Sequence, residues 1–271
     1  MTLRQYFKYW FYGYCPGFAG AFTYFGTKVH FPRGSLSFLA ACQQGIFEAD
    51  NVRLLQGLVR PGSWFFDVGA NIGLMSVPVL RAVAGARVLS FEPSPNSIPW
   101  LRRTIEQSSF RDRWTLITKA VGEQAGPFAF SVSATEASLY DGLKNARPGA
   151  VMRTLEVEQT TLDASWKEFG APDVSVIKCD VEGGEFAVLQ GARECLATSR
   201  PAVLTEWNRQ NLAAYGYQPG VLLEFADSHD FHVFAVPGIS RVMSLRELEA
   251  HMVFTETFLL LPRSKRTAEG A

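Results

Sequence analysis

The sequence predicts an α/β fold built on a largely parallel sheet, and three observations carry that prediction. From Glu48 onward, short apolar runs alternate with longer segments of helical period, the pattern of consecutive βαβ units. The first apolar run, Trp64-Phe-Phe-Asp67, passes straight into a glycine-containing turn. At 271 residues the chain can bury a sizeable core, and its length fits one large domain.

The elements follow in order. Asp50 to Arg60 reads as a helix stopped by Pro61-Gly62, and Trp64 to Asp67 as a buried strand. A helix from about Gly73 to Ala84 contains Pro78, which should bend it or delay its first turns. Arg87 to Phe91 is the second strand. Ser94 followed by Pro95 reads as an N-cap with proline at the first helical position, giving a helix through about Gln107. Trp114 to Ala120 is the third strand. Pro127 to Val132 and Leu155 to Thr160 alternate like a more exposed hairpin, an insertion suited to substrate contacts. Val174 to Cys179 is the fourth core strand, Glu185 to Ala197 a helix and Ala202 to Thr205 the fifth strand. Pro219 to Ser228 should be helical, with Phe231 to Val236 and Phe254 to Leu261 as closing strands.

Residues 1–45 form an aromatic-rich segment whose stretch Tyr9 to Thr27 carries no charge and is flanked by Lys8 and Lys28. Four Tyr, four Gly and Pro16 interrupt it, so it lacks the aliphatic density of a spanning helix. Nor does it have the charged start, apolar run and cleavage site of a signal peptide. It reads as a cap or lid on the domain at 46–262, with peripheral attachment to a membrane or to a partner as the second reading. Residues 263–271 read as a solvated tail. Lys plus Arg and Asp plus Glu are 26 each, so no overall field draws the chain to nucleic acid, and a small or neutral partner is expected. The four cysteines are far apart and suggest packing in a reducing, cytoplasmic setting.

The chemistry lies at the strand ends. Asp67-Val-Gly-Ala-Asn-Ile-Gly73 sits where a strand turns into a helix, and ligands of open parallel sheets collect there. Gly69 and Gly73 allow close backbone approach, and Asp67 can accept hydrogen bonds from a cationic amine. The spacing lacks the third glycine of a dinucleotide fingerprint. S-adenosylmethionine (SAM) has no phosphate to cradle and carries an amino-acid end, so this looser turn suits it better than NAD. Glu92 ends the second strand at about the distance from Asp67, roughly 20 residues on, where a carboxylate takes ribose hydroxyls. Asp180 ends the fourth strand, with Glu182 and Glu185 close behind, and Glu185 reads simply as complementing a helix N-terminus.

Gly45-Ile-Phe-Glu48, Pro61-Gly62, Asp67 to Gly73, Phe91-Glu-Pro93, Ala120-Val-Gly122, Thr161-Leu-Asp163 and Ile177-Lys-Cys-Asp-Val-Glu-Gly183 leading to Val188-Leu-Gln-Gly191 occur in this order. Together they resemble the FkbM-type SAM-dependent methyltransferases over about Ile46 to Phe234. The resemblance implies a Rossmann-like class I methyltransferase sheet, mostly parallel with a reversed strand near the C-terminus. It implies SAM as cofactor, near Asn71 and Ala120 as well as the residues above, and a hydroxyl of a sugar, glycolipid or polyketide as methyl acceptor. Cys179, Pro78 and the aromatic N-terminus depart from the family pattern.

An alcohol is a weak nucleophile, so a base or a metal must take or stabilise its proton. Asp180 is the candidate base, with Glu182 and Glu206 as helpers; the three could instead hold a divalent cation, but no further ligand pattern supports one and no metal is assigned. Glu48 either reaches the methionine end of SAM or the acceptor, or caps a helix. His30, His229, His232 and His251 lie outside these motifs. A nicotinamide oxidoreductase and a catalytically silent SAM-binding domain are the alternative readings, because a fold alone does not fix a function.

Overall fold

The computed structural model describes residues 1–17, 19–133 and 152–263. The chain opens with helix α1 (Leu3–Tyr14), hairpin strands β1 (Ala21–Tyr24) and β2 (Thr27–His30), and helices α2 (Leu36–Gln44) and α3 (Ala49–Leu58). Then come β3 (Trp64–Val68), α4 (Ser76–Ala82), β4 (Arg87–Phe91), α5 (Ile98–Gln107), β5 (Trp114–Ile117), β6 (Ala120–Val121), β7 (Gly126–Ser133), β8 (Met152–Thr160) and α6 (Leu162–Glu168). The second half holds β9 (Val174–Cys179), α7 (Glu185–Gln190), α8 (Arg193–Ser199), β10 (Ala202–Glu206), α9 (Arg209–Tyr215), α10 (Val221–Ser228), β11 (Phe231–Ala235), β12 (Ser240–Val242), α11 (Leu245–His251) and β13 (Thr257–Pro262).

Eight strands form one sheet in the order β12-β11-β13-β10-β9-β3-β4-β5. The run β10-β9-β3-β4-β5 is parallel, whereas β13 is antiparallel to both β10 and β11, the reversed strand expected near the C-terminus. Burial on both faces explains the continuous apolar strands: Phe65, Val88 and Val176 enter one core, Phe66, Leu89 and Ile177 the other. Phe22, Tyr24, Val29, Phe31 and Phe38 of the N-terminal segment belong to the same core as Phe65 and Val88. That segment is therefore a layer built onto one face of the sheet.

Several boundaries differ from expectation, each for a local reason. Pro78 falls in the first turn of α4, where its missing N–H costs nothing, and that helix starts only at Ser76. Ser94 is not the cap of α5: its hydroxyl accepts from Asn96 N within a turn, and the helix begins at Ile98. The third strand ends at Ile117, and Ala120-Val121 pairs with β8 in a separate sheet of order β6-β8-β7. The inserted hairpin forms, with the connection between its strands outside the described residues. The single helix expected from Glu185 to Ala197 breaks at Gly191, where a Cβ would stand 2.1 Å from Gly122 O. Asp163 then caps α8, accepting from Glu194 N and Cys195 N. Helices α9 and α11 are too short to announce themselves by periodicity. The last strand starts at Thr257, because Met252 to Phe254 form the turn that closes α11. Arg263 is anchored to Phe231 O and Asp227, and the rest of the expected tail lies outside the described residues.

Three buried ionisable groups shape the turn ends that follow. Lys178, next to last in β9, lies opposite Asp67 of β3. Its ammonium donates to Gly69 O at 2.9 Å and stands 3.2 Å from Asp180 Oδ2 and 3.7 Å from Asp67 Oδ1. Asp67 is fully buried, and its other oxygen accepts from Ser76 Oγ at 2.6 Å. Burial disfavours the Lys178 ammonium, but Asp180, Asp67 and Glu48 outweigh it and hold its pKa above the ordinary lysine value. Burial likewise pushes Asp67 up, opposed by Lys178 and Ser76. Glu185 folds back to accept from Val181 N at 2.8 Å and Gly183 N at 3.1 Å, closing the turn after β9. Burial pushes its carboxyl from 4.5 up to about 7 in spite of these donors.

Lys178→Met strands the buried Asp67 without its counter-ion and is expected to cost about 3–5 kcal/mol of unfolding free energy in urea melts. A loss below about 1 kcal/mol, the level of a surface pair, contradicts the pairing. For Glu185 the native state binds the proton more tightly than the unfolded chain. Its contribution is complete below pH 4.5 and is lost as pH rises through about 7. The stability difference between wild type and Glu185→Gln should therefore shrink with rising pH across that window; a difference that grows overturns the assignment.

Candidate active site

A cavity of about 450 Å³ lies over the carboxyl ends of β3, β4, β9 and β10, where the strand order reverses. Glu48, Gly69, Asn71, Glu92, Ala120, Asp180, Glu182 and Glu206 all line it. Residues from six separate stretches of sequence thus meet at one place.

The glycine turn forms one half. Gly69 has φ +79°, and a Cβ there would stand 1.9 Å from Asp180 O, so only glycine fits. Glu92 is 6% exposed; its carboxylate accepts from Asn71 N at 2.7 Å and from Ser94 N at 2.8 Å, which fixes both the turn and the acid. Ser37 of α2 donates to Asn71 Oδ1 at 3.1 Å. Ile72, Phe91, Pro93 and Phe130 give this half an apolar wall. Asp67 and Gly73, expected to meet the ligand, stand behind the wall. Asp67 is occupied by Lys178 and Ser76 as described. Gly73 has φ +87°, and a Cβ there would lie 2.8 Å from the Trp114 ring, so this glycine serves the packing of Trp114 and Leu101.

The other half is acidic. Oxygens of Asp180, Glu182 and Glu206 lie within 4.8 Å of one another. Asn211 Nδ2 donates to Glu182 Oε2 at 3.1 Å and to Glu206 Oε2 at 3.4 Å. Burial, followed by the charges of Asp180, Glu182, Glu185 and Glu256, pushes Glu206 up to about 10. Through neutral pH it therefore keeps its proton, which relieves the crowding; a divalent cation on the three carboxylates would do the same. Burial and then Asp180 also raise Glu48, whose Oε2 accepts from Asn51 Nδ2 at 2.8 Å. Its side chain caps no backbone N–H of α3.

The four histidines do not line the cavity. Sequence reasoning missed Lys178, Asn208, Asn211 and Glu256, which do. For Lys178 a signal was present: a charged residue inside an apolar strand run must be paired. For the other three there was none: Asn208 follows a strand, Asn211 sits on a short helix and Glu256 precedes a strand, all positions where polar residues look merely solvated.

The family profile described as "Methyltransferase FkbM domain" matches residues 67–239. The 2-O-methyltransferase NoeI of Sinorhizobium fredii (strain NBRC 101917 / NGR234) is 26% identical over 167 residues, 57% of this chain and 67% of that protein. Among solved structures, an FkbM methyltransferase from Methylobacillus flagellatus KT aligns with 16% identity and a TM-score of 0.46, covering 83% of this chain and 54% of that one. The present chain thus spans about half of that longer protein. A methyltransferase from Geobacter sulfurreducens aligns with 17% identity and a TM-score of 0.45 over 83% of this chain and 88% of that chain. The family match begins at the acid that opens the glycine turn, runs past β11 and takes in more than half of the sequence, so the protein belongs to the FkbM family of methyltransferases.

Proposed function

We propose that the protein transfers a methyl group from SAM to a hydroxyl of a sugar, glycolipid or polyketide-like acceptor. The observation that carries this reading is the contact between the two halves of the cavity. The main chain of Asp180 abuts Gly69, so a ligand on the glycine turn and an acceptor against the Asp180 carboxylate are neighbours. The likeness to a 2-O-methyltransferase supports oxygen as the acceptor atom.

SAM fits the residues present. The glycine turn admits close approach, the apolar wall suits an adenine ring, and Glu92, with Asn71 beside it, ends β4 where ribose hydroxyls would be held. A nicotinamide dinucleotide fits less well, for the turn has no third glycine. When bound, SAM would supply an electrophilic methyl carbon, to which the acceptor oxygen bonds as the carbon–sulfur bond breaks and the neutral thioether leaves. Orientation of the partners within one cavity can contribute roughly 7–11 kcal/mol toward the barrier. Carboxylates are too weak as bases to deprotonate an alcohol beforehand. Asp180 therefore takes the hydroxyl proton as the new bond forms, while protonated Glu206 can donate a hydrogen bond to a second acceptor oxygen. Glu182, Asn208 and Asn211 add the hydrogen-bonding groups that a polyhydroxyl compound would use. Among the described residues no helix is long and apolar enough to cross a membrane; peripheral membrane contact through the N-terminal segment belongs to the same reading.

Glu92→Ala is expected to weaken SAM binding by about 1.5–3 kcal/mol in calorimetry, with the melting temperature reported alongside. Unchanged affinity in a folded variant would move the cofactor elsewhere. Asp180→Asn should lower turnover by roughly 10²–10⁴-fold and leave SAM affinity nearly unmoved, measured with labelled SAM and a panel of glycans and glycolipids. Full turnover by this variant removes Asp180 from the mechanism. Activity lost to EDTA and regained with magnesium or manganese would replace the proton-transfer role by metal assistance. SAM binding without turnover on any acceptor would favour a silent domain.

A further inference from the structure

Helix α1 turns its apolar face outward. Leu3, Phe7, Trp10 and Tyr14 recur at spacings of four, three and four, one side of an α-helix, and Tyr6 adjoins them. Their exposures are 85% for Leu3, 60% for Phe7 and 47% for Trp10, and the Phe7 ring contacts those of Trp10 and Phe11. The opposite side anchors the helix: Tyr9 stacks on Phe38 at 5.8 Å, Gly13 is buried against Phe38, and Gln5 donates to Gln43 O. Both sides of the helix are thus aromatic: the inner side is taken up by the core, and the rings on the outer side await an apolar partner.

Charge identifies the partner. The whole chain is neutral, yet no acid precedes Glu48, whereas Arg4, Lys8, Lys28 and Arg33 do. Arg4 borders the exposed rings on one side of the helix, and Lys8 follows one turn on with its ammonium 5.8 Å from the Phe22 ring. Aromatic rings beside basic residues match the interface of a bilayer that carries anionic headgroups. Position agrees as well. Helix α1 packs on α2, whose Ser37 lines the cavity, so the exposed face and the cavity wall belong to the same N-terminal layer.

We propose that the outer face of α1 docks on anionic lipid and presents the cavity to acceptors in the headgroup layer. This deepens the peripheral-contact reading above; the docking itself does not depend on the identity of the cofactor. The test is cosedimentation of the full chain with phosphatidylcholine vesicles and with vesicles that also contain phosphatidylglycerol. Partition to the anionic vesicles should be about tenfold tighter or more, and should weaken at high salt. Leu3→Gln, Phe7→Gln and Trp10→Gln together should reduce it at least about tenfold without moving the melting temperature or SAM affinity, because these side chains touch solvent and glutamine is a good helix former. Arg4→Gln with Lys8→Gln should abolish the preference for anionic vesicles. No vesicle binding by the wild type, or equal binding by the triple variant, overturns the proposal. So does a dimer of the wild type that the triple variant loses, since the face then serves a second copy. SAM affinity in the same samples separates the two readings: its absence in the wild type defeats the cofactor reading and leaves the vesicle result standing.

Discussion

A lysine within a strand buried on both faces keeps its charge only if carboxylates surround it, and Lys178 meets that condition with Asp67, Asp180 and Glu48. Taking each such ion out of water costs several kcal/mol, so the geometry around it has little freedom. The ammonium also donates to Gly69 O, the carbonyl at the top of the turn. One cation thereby joins β3 to β9, sets the height of the glycine turn and holds the carboxylate proposed to meet the acceptor. The floor of one half of the cavity and the reactive group of the other are fixed by the same atom.

From that atom outward, the two halves divide by chemistry. Glu92 spends part of its carboxylate on Asn71 N and Ser94 N, so the acid that would hold a ribose is itself immobile. On the acidic side the like charges cannot all persist. The proton retained by Glu206 is the consequence, and it leaves an acid and a carboxylate side by side, the arrangement in which one group donates while another accepts. Asn211 on α9 bridges Glu182 and Glu206, and Gly183 permits it: a Cβ there would stand 2.6 Å from Asn211 O.

The N-terminal layer connects this site to the exterior. Its inner rings are part of the sheet's core, and α2 carries Ser37 to the cavity wall. Among the described residues, Leu3, Phe7 and Trp10 on the outer side of α1 take no part in that core. An exposed aromatic face fixed to a buried aromatic layer cannot turn inward, so its chemistry is available only to a partner.

The sequence by itself determined the alternation of strands and helices, the glycine turn, Glu92 at one strand end and Asp180 at another. These are local: a buried parallel strand is apolar along its length, and the residue after it must turn. Boundaries failed where a distant contact decided them. Gly191 breaks a helix because Gly122 presses on it, and Ala120-Val121 leaves the main sheet because β8 offers a partner. Tertiary structure alone decided which motif residues face the cavity. Asp67 and Gly73 look like ligand contacts in one dimension, yet Lys178 claims the first and Trp114 the second from 111 and 41 positions away in the chain. No periodicity encodes such pairs, because they exist only once the strands are in register.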